Sequence, residues 1–135
     1  MSVHLIAEKK IQVGKPTTVE GPSPTPPFAV VFEDDGDTGY FYALDKSRSD
    51  SLIVDAMHIY DTKAVSDRHR PSTVQIVWSL DHQKAALLIN SYPHAIFDFA
   101  ARRGYCRTGF PSVRSHVGWT QHSHDWDEKA LELFR

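Results

Sequence analysis

Four groups of side chains in this sequence have types and spacings that could do chemistry. Cys106 lies in RRGYCRTG, between Arg103 and Arg107, and neighbouring cations favour a thiolate and raise its nucleophilicity. A cysteine enzyme also needs a positioned histidine and an orienting carboxylate; His94 and Asp98 fall at alternating positions of the preceding strand-like segment. No motif joins the three, and a half-buried strand cysteine is the plainer reading. His116, His122 and His124 cluster near the C-terminus, with Asp125 or Asp127 as a further oxygen donor. The H-x-H pair would share one side of a strand and could reach one metal. The surrounding Ser/Thr/Gly-rich sequence lacks other ligand spacings, and solvated loop histidines are the plainer reading. Glu33, Asp34, Asp35 and Asp37 could hold a hard cation. They lack the order of a calcium loop, whereas Asp and Gly are what a tight turn requires.

The stretch from Asp98 to Arg114 is the most suggestive for recognition. It carries Arg102, Arg103, Arg107 and Arg114, with Tyr105 and Phe110 among them, and Tyr92 and His94 just upstream. Arginine and tyrosine dominate binding hot spots through planar bidentate pairing and large rigid contact area. The candidate binding set is therefore Tyr92, His94, Asp98, Arg102, Arg103, Tyr105, Arg107 and Arg114. The competing reading is a charged edge strand that pairs with Asp98 and the C-terminal acids.

The elements that would position these groups follow from composition and pattern. A chain of 135 residues with 41% apolar content suits one domain, spanning 1–135, with a genuine core. The single cysteine excludes an internal disulfide and a four-cysteine zinc site. A net charge of −2 removes the electrostatic argument for nucleic acid. No window reaches the 18 apolar residues of a membrane helix, and the longest apolar run near the N-terminus, Leu5 to Ala7, is too short for a secretory signal. These features lead to the expectation of a cytoplasmic protein with a reduced thiol.

A first strand is expected near Val3–Ala7. Residues 16–27 hold five prolines and should form an extended surface crossing, since proline lacks the donor that a ladder needs. Phe28–Phe32 and Tyr40–Leu44 flank the acidic turn as a hairpin, apolar on both faces and so expected to lie centrally, covered on each side. Ser51–Asp61 fits both a helix and a strand; its β-branched and aromatic content favours the strand. After a polar loop over Thr62–Ser72, alternation predicts a meander through Thr73–Trp78, Lys84–Ile89 and His94–Phe99, with a short edge strand over Gly104–Thr108. Asp125 and Glu128 resemble a capping box. Trp126, Ala130, Leu131 and Phe134 make a stripe for a short helix over 125–135 that must dock to persist.

FEDDGDTGYFYALD (from Phe32), IVDAMHIYD (from Ile53) and VWSLDHQKAALLINSYPHAIFDFAARRGYCRTGFP (from Val77) resemble an uncharacterised family of small bacterial proteins, a domain of unknown function. The resemblance implies a bacterial cytosolic setting and transfers no catalytic residue. A looser likeness, of architecture alone, is to toxin-neutralising immunity proteins.

The sequence thus predicts an α+β domain: a twisted antiparallel sheet of five to seven strands with the C-terminal helix packed on one face. With no catalytic motif it leans away from an enzyme and calls for no cofactor. The expected function is a small binding module whose Arg/Tyr-rich edge engages an acidic protein or small anion, with a homodimer through a sheet edge as a variant. The alternatives are an immunity-type protein, or an enzyme using Cys106 or a metal at the histidine cluster.

Overall fold

Alternation of apolar and polar residues becomes strand wherever it recurs. The computed structural model describes residues 3–49, 52–107 and 125–134. Among them are nine strands: β1 (Val3–Ile11), β2 (Thr17–Pro22), β3 (Phe28–Asp34), β4 (Thr38–Asp45), β5 (Ile53–Asp61), β6 (Ser72–Ser79), β7 (Lys84–Ile89), β8 (Tyr92–Asp98) and β9 (Arg103–Cys106). All pairings between these strands are antiparallel. One sheet has the order β1-β6-β7-β8-β9 and the other is the meander β2-β3-β4-β5.

The fold is therefore mainly β, and the expected single sheet is two sheets packed face to face. The reason is period two. Val30, Phe32, Phe41, Ala43 and Ile59 form one apolar inner face, and Val74, Ile76, Trp78, Leu87 and Phe97 form the other. Each face removes its side chains from water only against its counterpart. Phe41 stacks on Phe97 with ring centroids 5.0 Å apart. Trp78, fully buried, donates its indole N–H to the Gly21 carbonyl at 3.0 Å, which satisfies the only polar atom it brings inside. The sheets also meet along their edges. Lys9 Nζ donates to Thr17 Oγ1 across β1 and β2, and the Cys106 thiol contacts the His58 carbonyl across β9 and β5.

Three further expectations change. Residues 16–27 are not solely a crossing: Thr17–Pro22 is an edge strand paired with β3, tolerated because Pro16 precedes it and Pro22 ends it. β3 and β4 are central in their sheet, as expected, but no described element packs on their outer face. That face carries a tyrosine pair, Tyr40 and Tyr42, stacked at 5.7 Å. Tyr42 donates to Glu33 at 3.1 Å, and His58 meets Asp61 at 2.9 Å. The expected C-terminal α-helix is a 3-10 helix over Glu128–Phe134. It is too short to nucleate on its own, and packing holds it: Ala130 and Phe134 lie on Ala86 and Ile96, covering the outer face of the five-stranded sheet. Its start is organised by Asp127, whose carboxylate accepts the Lys129 amide at 2.9 Å, while Asp125 forms an isolated parallel bridge with Cys106. Ser51–Asp61 resolves as strand from Ile53. Among the described residues no helix is long and apolar enough to cross a membrane.

Candidate functional site

One end of the sandwich gathers the start of β1 and the β2–β3, β4–β5, β6–β7 and β8–β9 connections, because antiparallel strands return alternately to the same end. Between these loops lies a cleft of about 240 Å³ lined by Phe28, Asp45, Arg48, Val54, Phe99, Ala100 and Arg102. Phe28 stacks on Phe99 at 4.6 Å and Phe99 on Trp78 at 5.4 Å, so aromatic rings continuous with the core form part of the wall. The cations stand on tight turns. Asp45 accepts the Ser47 amide at 3.0 Å and the Ser47 hydroxyl at 2.6 Å, and the Arg48 amide donates to the Asp45 carbonyl. On the facing loop, the Phe99 amide donates to the Gln83 carbonyl at 2.8 Å and Asp98 accepts the Ala101 amide at 3.1 Å. Arg102 then adopts a left-handed backbone, φ 54°, which costs a non-glycine residue about 1 kcal/mol or more.

A second groove of about 290 Å³ shares Phe28 and is lined by Pro22, Ser23, Pro26, Pro27, Lys46 and Ser47. Chemically, the end places the Arg48 and Arg102 cations and the Asp45 carboxylate beside an aromatic and proline surface suited to an apolar body.

The structure divides the residues singled out from sequence between the two ends of the sheet. Arg102 lies in the cleft. Arg103 follows it at the start of β9, opposite Asp98, with its guanidinium 5.0 Å over the Tyr105 ring and its Nε buried without a hydrogen-bond partner. Asp98 is buried and braces the turn. Tyr105 packs with the C-terminal segment on the outer face. Arg107 lies at the far end, between Tyr92 at 4.6 Å and Trp126 at 3.9 Å, and its Nη1 meets Glu128 Oε1 at 2.9 Å. The Trp126 indole N–H and the Arg107 guanidinium together hold the Glu128 carboxyl below its usual pKa. Arg107 is thus a latch for the C-terminal segment. An extended strand advances about 3.3 Å per residue, which separates Arg102 and Arg107 by roughly 16 Å. Arg114, His116, His122 and His124 lie outside the described residues.

The pleat also separates Cys106 from its supposed partners. Cys106 pairs with Ala95 and joins the inner core, whereas His94 and Asp98 alternate to the opposite face. The acidic turn resolves similarly. Asp34 points inward, Asp35 accepts the Asp37 and Thr38 amides at 2.9 Å, and Glu33 serves Tyr42. The backbone bonds from Asp37 and Thr38 lower the Asp35 pKa. No three His, Cys, Asp or Glu side chains gather at one point among the described residues.

His94 carries a pH prediction. Burial, followed by the Arg107 charge, lowers its pKa below the ordinary 6.5. The fold keeps it neutral while the unfolded chain takes up the proton, so its contribution is intact above about pH 6.5 and is lost as pH falls through the lower folded value. His94→Gln should therefore lose less stability than the wild type between pH 7.5 and pH 5.5 in parallel urea titrations. Equal losses would show that His94 is not a source of the acid limb.

Reading the sequence missed Phe28, Asp45, Arg48, Val54 and Phe99 as site residues. The phenylalanines read as core, which they also are, and Arg48 had only the turn signal DKSR around it. Their convergence depends on how the sheets face each other.

A family model described as an uncharacterised protein conserved in bacteria, DUF2251, matches residues 11–135. An uncharacterised protein of Haemophilus influenzae is 42% identical over 120 residues, which cover 88% of this chain and 74% of that protein. No solved structure matches significantly. The chain belongs to the DUF2251 family of uncharacterised bacterial proteins.

Proposed function

We propose that this protein is a binding module for a small organic anion, taken up in the cleft at the Phe28–Phe99 end of the sandwich. One observation carries the reading: Arg48 and Arg102, from loops of different sheets, line a single cleft walled by stacked phenylalanines. The Arg102 guanidinium can meet the oxygens of a carboxylate or phosphate there, while Arg48 adds positive charge to the same cleft. The aromatic wall favours a ligand that continues into a planar or aliphatic body. The set expected from the sequence contributes Arg102 to this cleft, while Arg107 lies at the far end.

Titration of ¹⁵N-labelled protein with phenyl phosphate, benzoate and inorganic phosphate tests this. Saturable amide shifts should centre on Phe28, Arg48 and Phe99–Arg102, with phenyl phosphate tighter than inorganic phosphate. Arg102→Asn keeps a residue suited to the left-handed backbone and should weaken phenyl phosphate at least about tenfold, the weight of one charge-assisted pair. Absence of shifts at 10-millimolar order concentrations, or unchanged affinity in Arg102→Asn, would remove the proposal.

A further inference from the structure

At the same end of the sandwich, and independent of the cleft residues, two histidines 78 positions apart in sequence present the same ring atom to each other. His4 Nε2 and His82 Nε2 are 3.2 Å apart, with ring centroids at 5.0 Å and planes inclined at 62°. Two imidazole nitrogens bound to one ion at 2.0–2.1 Å stand about 3.3 Å apart at a tetrahedral angle, and about 2.9 Å apart at a right angle. The observed spacing lies between these, so an ion could enter with little movement of either ring.

The support around the rings fits the same chemistry. Thr25 Oγ1 lies 2.7 Å from His82 Nδ1. With the hydroxyl accepting, the ring proton stays on Nδ1 and the Nε2 lone pair faces His4. A hydrogen bond on the far ring nitrogen is the usual device that fixes tautomer and orientation in a ligating histidine. The backbone of His82 is fixed too: its φ is 64°, its amide donates to the Ser79 carbonyl, and its carbonyl accepts from Ser23 Oγ at 3.1 Å. His4 stands on β1 opposite Trp78, a fully buried side chain. Both rings are half-buried, and each is thus presented by a fixed backbone.

We infer that His4 and His82 form a two-histidine site for a divalent first-row transition ion, zinc or copper, with Thr25 as a positioning residue. Two protein nitrogens leave the remaining coordination positions to water or to a small exogenous ligand. Imidazole donors and the Irving–Williams order favour copper(II) over zinc at equal supply. A hard cation such as magnesium or calcium is excluded by the absence of oxygen donors in the pair itself.

Full-length protein without a histidine tag, at pH 7.5, is titrated with zinc and, separately, with copper(II) by calorimetry. Long-range ¹H–¹⁵N spectra of the imidazoles are recorded in parallel. One saturable site is expected, with the Nε2 resonances of His4 and His82 shifting together. His4→Asn and His82→Asn should each weaken it at least tenfold; Asn tolerates the left-handed backbone at position 82. Thr25→Val should weaken it about tenfold, the size usual for a lost outer hydrogen bond, and His69→Asn should leave it unchanged. Binding that survives in the His4→Asn/His82→Asn double variant, or wild-type spectra in which these two imidazoles do not move, would overturn the site. The wild-type spectra decide the matter even if a variant folds poorly.

Discussion

Asp34→Ala is expected to destabilise the fold by about 3–5 kcal/mol, the largest loss from any single polar side chain among the described residues. Asp34 ends β3 and is 1% exposed, yet its carboxylate serves three separate parts of the chain. Oδ2 accepts the Gly14 amide at 2.8 Å and the Tyr60 hydroxyl at 2.6 Å, and Oδ1 accepts the Gly36 amide at 2.8 Å. Gly14 belongs to the loop that carries the chain from one sheet to the other, Gly36 to the β3–β4 turn, and Tyr60 to the end of β5. Both glycines have positive φ, 92° and 104°, so the loops are shaped to aim their amides inward. Burial, reinforced by the bond to Asp34, keeps the Tyr60 hydroxyl protonated far above the ordinary tyrosine range.

Removing the carboxylate strands three donors where water has little access, and each orphan costs about 1–3 kcal/mol before relaxation. Asp34→Asn should recover little, because both oxygens accept and the amide nitrogen would face a donor. Urea midpoints and slopes for wild type, Asp34→Ala, Asp34→Asn and Tyr60→Phe measure this. A loss below about 1 kcal/mol in Asp34→Ala would mean that the loops find other partners.

Gly21→Ala should cost roughly 2–3 kcal/mol, although the change adds one methyl to an edge strand. A Cβ at Gly21 would collide with Cγ2 of Ile76 and crowd its Cδ1 and Cβ. Ile76 is fully buried and β-branched, so it has no free rotamer into which to retreat. The Gly21 carbonyl also accepts the Trp78 indole, and a strand displaced by the new methyl would weaken that bond. Gly104 makes an instructive comparison. A Cβ there would meet Cε of Met57 most closely, the end of a flexible side chain that can swing aside, so Gly104→Ala should cost less. The decisive measurement is a double-mutant cycle. Ile76→Ala removes the obstructing atoms, and Gly21→Ala placed on that background should lose most of its penalty. Additive losses would place the cost in backbone strain at Gly21 instead of in the Ile76 contact.

These predictions mark which parts of the molecule were legible in its sequence. The hairpin around EDDGDTG, the meander through Trp78, Leu87 and Phe97, and the docking of Ala130 and Phe134 all follow from local alternation or a local stripe, and all are found. Turn chemistry around Asp35 was equally plain, since the side chain bonds amides only two and three residues away. The inward role of Asp34 was not, because two of its partners, Gly14 and Tyr60, are 20 and 26 residues distant. Of the cationic rim read from Arg102 to Arg114, the described part ends at Arg107. In the sheet, Arg102 turns into a cleft while Arg107 is gripped by Tyr92, Trp126 and Glu128.

By itself, then, the sequence determined which segments are extended, where they turn and which side chains leave water, because those preferences act over two to four residues. It could not determine that the strands divide into two sheets instead of one, since alternating faces are satisfied equally by a helix or by a second sheet. Only the tertiary structure decided that Phe28 meets Phe99, that Arg48 and Arg102 line one cleft, and that His4 meets His82. Such encounters depend on strand order and sheet packing, which are set by the summed burial of many residues and written in no single stretch of the chain.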